Sequence, residues 1–307
     1  MDTKKLIGHL AALFTIIVWG TSYISSTKLL GSLSSAEIII CRFLLAFVLL
    51  NLIYPPRLNV ESVKREAVYA LAGLCGVTLY FFLEIAALRY TKAANVSVLL
   101  STSPFFCGLM SLVSAKSDKP KFNFFIGFII AVVGIILVTF EDGFSFNINV
   151  RGALLAIGSA AAWGLYSILT KEIGTYGHNI IASTRRIFMY GLIFMIPTLL
   201  FFDIDPGHIR LLADKNILLN LLYLGLISSG ICFMTWSYAT NAIGPVKATT
   251  YLYLSPLVTI AFAYFLLKNQ TLTWQLFLGA ALIIAGLLLS VTKSTNAPAK
   301  KKKKRKS

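Results

Sequence analysis

Apolar runs of about twenty residues recur along the whole chain, and a helix of that length crosses a hydrocarbon core of roughly 30 Å. The runs fall near 9–30, 34–54, 67–88, 93–115, 122–140, 152–171, 179–202, 217–240, 246–267 and 273–292. The breaks between them carry Gly, Pro, Asn or charge, as in Tyr54-Pro55-Pro56 and Asp205-Pro206-Gly207. Short of a closed barrel, only helices satisfy their own backbone in lipid, so the expected fold is an all-α membrane protein of ten transmembrane helices. Composition agrees: 57% of the 307 residues are hydrophobic, 13% are charged, and mean hydropathy is +0.78. A soluble domain of this length needs far more charge on its surface. The first run, His9 to Leu30, is too long for the apolar region of a cleaved signal.

Charge sets the expected orientation. With the N-terminus in the cytoplasm, that side also receives Arg57, Lys64, Arg65, Lys116, Lys119, Lys121, Lys171, Lys247 and Lys293. The opposite side receives fewer basic residues, diluted by Glu141, Asp142, Asp203, Asp205 and Asp214. The bias of Lys and Arg toward the cytoplasm therefore predicts both termini inside the cell membrane. The net charge of +16 owes much to one tail, Lys300 to Lys306. Such a tail after the last span suits anionic lipid headgroups and topological anchoring. A nucleic-acid reader spreads its basic residues over a folded surface, so no nucleic-acid partner is expected.

The chain also repeats itself. Gly73 to Pro104 returns without a gap as Gly225 to Pro256, a constant offset of 152, with Gly73, Leu74, Phe81, Ala87, Leu100, Ser103 and Pro104 on identical residues. Gly127 and Gly134 match Gly279 and Gly286 at the same offset. Earlier in the chain the offset is 144: Trp19-Gly20 matches Trp163-Gly164, and Arg42 matches Arg186. The eight-residue difference fits an insertion near Asp203 to Asn216. The expected organisation is a five-helix unit over 1–142, a second over 150–293, and a basic cytoplasmic tail over 294–307. A unit with an odd number of spans inserts its second copy upside down, giving two inverted repeats (5+5). That is a recurring architecture of secondary transporters, with substrate bound near midplane at the repeat interface.

The five-plus-five pattern, WGTSYISSTK (Trp19 to Lys28), WGLYSILTK (Trp163 to Lys171), Arg42 and the two Ser-Pro pairs resemble the drug/metabolite transporter superfamily, EamA-like branch. The resemblance spans about 5–293. It implies export or import of small organic molecules, with the third, fourth, eighth and ninth helices lining a central cavity. The first, second, sixth and seventh helices would form surrounding gates, and the fifth and tenth would lie at the periphery. It also leans toward export.

Glu84 is the sharpest candidate for function. A carboxylate at hydrocarbon depth costs on the order of 3 kcal/mol at mid-span, less toward the edge, and its presence there is a functional hypothesis by default. Its repeat partner is Trp236, so the acid breaks the symmetry. Arg42 lies at an overlapping depth. Glu84 therefore either binds a substrate cation or a proton, or closes an ion pair with Arg42, and a pair that opens during transport does both. Arg42 and Arg186 are repeat-related, which points to gating or architecture, although Arg also recognises carboxylates in a bidentate way.

Tyr80, one helical turn from Glu84, joins Trp163, Trp236, Tyr251 and Tyr253 as aromatic candidates for substrate contact or helix packing. Asn95 is a polar candidate in the fourth span. Pro104 and Pro256 break the helical ladder at symmetric places and are expected to kink their helices. Cys41, Cys75, Cys107 and Cys232 lie in apolar runs without CxxC spacing and read as small buried hydrophobes.

No nucleotide-binding loop, zinc-protease or serine-hydrolase motif is present in the sequence. The expectation is a transporter of small metabolites such as amino acids, without catalytic residues, cofactor or metal. An intramembrane enzyme and a channel or receptor are the alternatives. A homodimer is left open, with no residue arguing for it.

Overall fold

The computed structural model describes residues 3–90, 93–114, 119–139, 149–197, 204–267 and 274–291. In chain order the helices are α1 (Thr3–Leu29), α2 (Ser35–Ile53) and α3 (Val63–Leu88), then α4 in two pieces (Ala93–Leu100 and Ser103–Val113). They continue with α5 (Phe122–Thr139), α6 (Val150–Gly174), α7 (Ile180–Met195) and α8 (Lys215–Ile243). The last are α9 in three pieces (Pro245–Thr250, Tyr251–Leu254 and Ser255–Leu267) and α10 (Trp274–Val291). There is no strand among the described residues. Six helices (α1, α2, α3, α6, α8 and α10) contain stretches long and apolar enough to cross a membrane, and shorter apolar helices occupy Val98–Val113 and Phe122–Leu137. The molecule is a multi-pass helical membrane protein. The basic tail, 294–307, lies outside the described residues.

Polar residues set the helix boundaries. Ser34 and Glu37 form a reciprocal capping box at the start of α2, with Glu37 N–H donating to Ser34 Oγ at 3.3 Å and Ser34 N–H to Glu37 Oε2 at 2.7 Å. Asn149, Asn179 and Asp214 cap α6, α7 and α8 through their side-chain oxygens. Gly244 joins α8 to α9 with φ +88°, a backbone region that costs glycine nothing, and Pro245 then opens α9 where no N–H is needed.

The fourth and ninth helices break just before their prolines. Residues 101 and 102 interrupt α4 ahead of Ser103-Pro104, and a 3-10 stretch, Tyr251–Leu254, precedes Ser255-Pro256 in α9. Proline removes a donor from the ladder, and Ser103 Oγ returns a bond to Leu100 O at 2.7 Å. The third and eighth helices share a different irregularity. Each contains a π-helical stretch, Leu74–Leu79 in α3 and Tyr223–Ile231 in α8, and the first maps into the second at the offset of 152. Between α7 and α8, where the offset changes by eight, sits a 3-10 stretch of eight residues, Pro206–Ala213.

Glycine contacts tie the two halves together in matched pairs. A Cβ on Gly73 of α3 would lie 2.5 Å from Ile187 O of α7, and one on Gly225 of α8 would lie 2.6 Å from Leu45 Cβ of α2. Gly20 of α1 packs against Val258 of α9, and its counterpart Gly164 of α6 packs against Phe106 of α4. In α5 and α10, Gly127 meets Gly286 and Gly134 meets Gly279, so these two helices cross antiparallel at backbone contact. Small residues permit such close approach where lipid provides no hydrophobic drive between helices. The largest buried cluster gathers Phe43, Tyr69, Trp163, Tyr166, Phe188, Phe233 and Trp236 from α2, α3, α6, α7 and α8.

Candidate functional site

The centre of the molecule is an aromatic junction. Trp19, Trp163 and Trp236 form a triangle with ring centroids 5.2, 5.3 and 5.8 Å apart. Tyr80 stands 4.9 Å from Trp163, and Phe233 contacts both Trp19 and Trp163 at 5.8 Å. The tryptophans come from the repeat-related α1 and α6 and from α8. Trp19 Nε1 donates to Ser228 O at 2.9 Å in the π-helical stretch of α8. The indole N–H groups of Trp163 and Trp236 are buried without a hydrogen-bond partner. A buried donor left unmade costs about 1–3 kcal/mol.

Arg42 reaches this junction from α2. Its Nε donates to Ser229 Oγ at 2.8 Å and its Nη2 to Ser228 Oγ at 3.1 Å. Its guanidinium lies 5.1 Å over the Phe81 ring and 5.6 Å from that of Phe43. Bonds to a charged donor contribute about 1.5–3 kcal/mol each, and the ring contact about 0.5–2. The guanidinium is thus held in one place by α3 and α8 together.

Glu84 lies one turn beyond Tyr80 on α3. Its side chain has intermediate exposure and lies within the electrostatic reach of Arg42. The neighbouring Tyr80, Phe81, Phe82, Leu83, Ile85 and Ala86 share that intermediate exposure. Two partners of Arg42 are the serines of α8.

The end of the molecule where α6 meets α7, the Gly174 end, is closed. Arg186 pairs with Glu66 (Nη2 to Oε1 2.6 Å, Nε to Oε1 2.8 Å), and Tyr190 OH also donates to Glu66. Arg185 donates to the carbonyls of Tyr54, Pro55 and Pro56 in the α2–α3 loop. Tyr69 OH lies 2.8 Å from His178 Nδ1 and 3.1 Å from Ser183 Oγ. Lys171 donates to Asn241 O at 2.7 Å, and Asn241 Nδ2 donates to Ser237 O at 2.7 Å. Tyr69, Ile173, Thr170, Thr240 and Ile243 are all buried here. At the opposite, Val150 end, Glu37 accepts from Asp205 N–H at 3.0 Å and lies 3.1 Å from His208 Nδ1, tying the 3-10 stretch to α2.

The sequence candidates separate into groups. Tyr80, Trp163, Trp236 and Arg42 converge on the centre, and Glu84 follows Tyr80 one turn along α3 within the electrostatic reach of Arg42. Arg186 belongs to the Gly174 end. Tyr251 is 2.8 Å from His9 Nδ1, and Tyr253 is buried in a cluster with Val98, Ala131, Ile283 and Leu287 of α4, α5 and α10. Asn95 falls on α4, and its side chain lies outside the described residues. Pro104 and Pro256 stand at the helix breaks. Sequence reasoning missed Glu66, which sits in the polar opening turn of α3 and looks interfacial. It also missed Ser228 and Ser229. Their repeat partners are Gly76 and Val77, so the asymmetry that singled out Glu84 also marks these serines.

With this geometry in place, comparison with known proteins is decisive. The chain matches the EamA-like transporter family over residues 6–140 and again over 150–292. It belongs to the EamA-like transporter family. An uncharacterised transporter of Archaeoglobus fulgidus is 28% identical, covering 93% of this chain and 97% of its own. An uncharacterised transporter of Bacillus subtilis is 24% identical over 92% and 90%. A protein of Streptantibioticus cattleyicolor named a probable terminal-alkyne amino-acid exporter is 24% identical over 91% of each chain. One crystal structure superposes with a TM-score of 0.71 at 18% identity, covering 94% of this chain and 96% of that one, which shows the shared fold. The EamA-like chain is a membrane transporter of small molecules and not an enzyme.

Proposed function

We propose that this EamA-like protein is a secondary transporter that exports small zwitterionic metabolites, amino acids foremost, by alternating access between two inverted five-helix repeats. It spans the cell membrane ten times with both termini in the cytoplasm, so the Gly174 end faces inward and the Val150 end outward. The observation that carries the reading is Glu84: a carboxylate in an apolar stretch of α3, one turn from Tyr80 and within the electrostatic reach of Arg42. An acid and a guanidinium brought beside aromatic faces suit a molecule that brings one charge of each sign. Arg42 takes the carboxylate, and Glu84 takes the ammonium.

The matched glycine contacts and π-helical stretches support two interconvertible halves. A two-fold-related molecule has outward and inward states built from the same contacts. The hydrogen-bonded Gly174 end, opposite a half-exposed outer part of α3, is the outward-facing member of that pair. The amino-acid exporter among the relatives supports the substrate class. The two broken helices, at Pro104 and Pro256, supply the bending points. The basic tail anchors the cytoplasmic side on anionic lipid.

Ligand binding raises the apparent stability of the state that binds. Purified protein screened by thermal shift against amino acids and other metabolites should respond to zwitterions, and Glu84→Gln should lose that response while keeping its own unfolding profile. A response to metabolites of one charge only, unchanged in Glu84→Gln, would contradict the assignment.

A further inference from the structure

The residues that shift the repeat offset meet an acid that the repeat does not copy. The 3-10 stretch Pro206–Ala213 stands where the offset changes from 144 to 152, and it runs straight into Asp214, the cap of α8. Glu37, on the first turn of α2, is buried, and its carboxylate is well occupied. Ser34 N–H donates to Oε2 at 2.7 Å, Asp205 N–H donates to Oε1 at 3.0 Å, and His208 Nδ1 lies 3.1 Å from both oxygens. Beneath this strap, Leu211 and Leu212 pack on the cluster of Leu29, Leu33, Ile38 and Leu221. In the second half the place of Glu37 is taken by Ile181. The acid and the insertion each occur once, and they bond each other.

The second half shows what this contact replaces. Ser62 and Asp214 cap α3 and α8 at the offset of 152, so the starts of these two helices correspond. The first turn of α3 carries Glu66, and Arg186 of α7, the counterpart of Arg42, is bonded to it. On α8 the place of Glu66 is held by Leu218, which offers a guanidinium no acceptor. The arginine of α7 thus ties its own helix to the start of α3. On α2 that tie is made by Glu37 through the strap, one and a half turns before Arg42, and Arg42 reaches Ser228 and Ser229 of α8. Because the strap is continuous with α8, one connection sets the register of α8 against α2, and along that register Arg42 meets its two serines.

We infer that Glu37 and His208 are positioning residues for substrate recognition: by clasping the strap to α2 they hold Arg42 where a substrate carboxylate meets it. The inference rests on the proposed role of Arg42 and adds to it a pair that does not itself touch substrate.

The test compares acids with amides. The purified full chain is titrated, with thermal shift as the readout, against the standard amino acids and against their carboxamides, which keep the ammonium and lose the carboxylate. A ligand that binds the folded state raises its apparent stability. The wild-type protein should prefer acid to amide, and Arg42→Lys should lose that preference. His208→Ala leaves the Ser34–Glu37 capping box in place. It should lower the preference by about tenfold, since displacing a recognition group by ~1 Å costs up to about a hundredfold. His208→Asn keeps a donor toward Glu37 and should restore most of it. Glu37→Gln should act in the same direction, and combining it with His208→Ala should add little, because both changes weaken one contact.

A purely structural clasp predicts lower thermal stability with the acid-to-amide ratio unchanged. A ratio that stays at its wild-type value in His208→Ala and Glu37→Gln, while Arg42→Lys abolishes it, would overturn the inference and leave the zwitterion reading standing. A wild-type protein that binds acid and amide alike would overturn both.

Discussion

Glu84 and Arg42 are the residues on which the proposed zwitterion site rests. Glu84→Gln keeps the shape and removes the charge, and we expect flux of zwitterions to fall by about tenfold or more with insertion intact, since one missing ionic partner costs at least 1.4 kcal/mol. Flux and membrane expression measured on the same vesicles check this. Arg42→Lys should be nearly as damaging, because a lysine cannot bond both Ser228 and Ser229 and cover the Phe81 ring at once. A Lys variant with wild-type KM would contradict the fixed-guanidinium account. Glu84 was visible in the sequence because an acid stands alone in an apolar run. Arg42's actual partners were not. Depth along two helices brings Arg42 and Glu84 to the same level, but only the rotation of α8, set by its π-helical turn, places two serines against the guanidinium.

At the scale of the element, the helices meet through matched glycines and open at matched irregularities. Gly134→Val should overpack the α5–α10 crossing, where the added Cβ meets Gly279 O at 2.6 Å, and lower stability by about 1–3 kcal/mol. Thermal unfolding in detergent reads that loss. The hydrogen-bonded Gly174 end depends on Glu66, whose carboxylate gathers Arg186 and Tyr190. The pair is 31% and 24% exposed, so its contribution is discounted to about 1 kcal/mol. On the proposed orientation, Glu66→Gln should then shift the population toward the inward-open state by about fivefold, measured as faster labelling of a thiol placed at the Gly174 end. The helix positions and the proline breaks were legible from apolar runs and Ser-Pro pairs. The π-helical stretches were not, since no residue type specifies one and packing against α7 and α2 decides them. The closed end was hidden for a related reason: Glu66, Tyr69 and His178 lie in ordinary loop-adjacent sequence and become a latch only when α3 docks on α7.

For the molecule as a whole, the family match repeats over 6–140 and 150–292, and the proposed mechanism uses that duplication for two states of similar energy. The two-copy organisation was legible from the constant offsets, and the family from the resemblance carried by the Trp-Gly stretches, Arg42 and the Ser-Pro pairs. The 3-10 stretch Pro206–Ala213, which fills the place of the eight-residue offset change, was legible as an insertion but not as the segment that Glu37 holds at the start of α2. The central claim is an alternating-access carrier whose charge-bearing site is Glu84 with Arg42. Counterflow in proteoliposomes tests it most directly. Labelled amino acid outside should be driven in by unlabelled amino acid inside, saturably, in the wild-type protein and not in Glu84→Gln. Flux that rises linearly with concentration, shows no trans-stimulation, or persists unchanged in Glu84→Gln would contradict it.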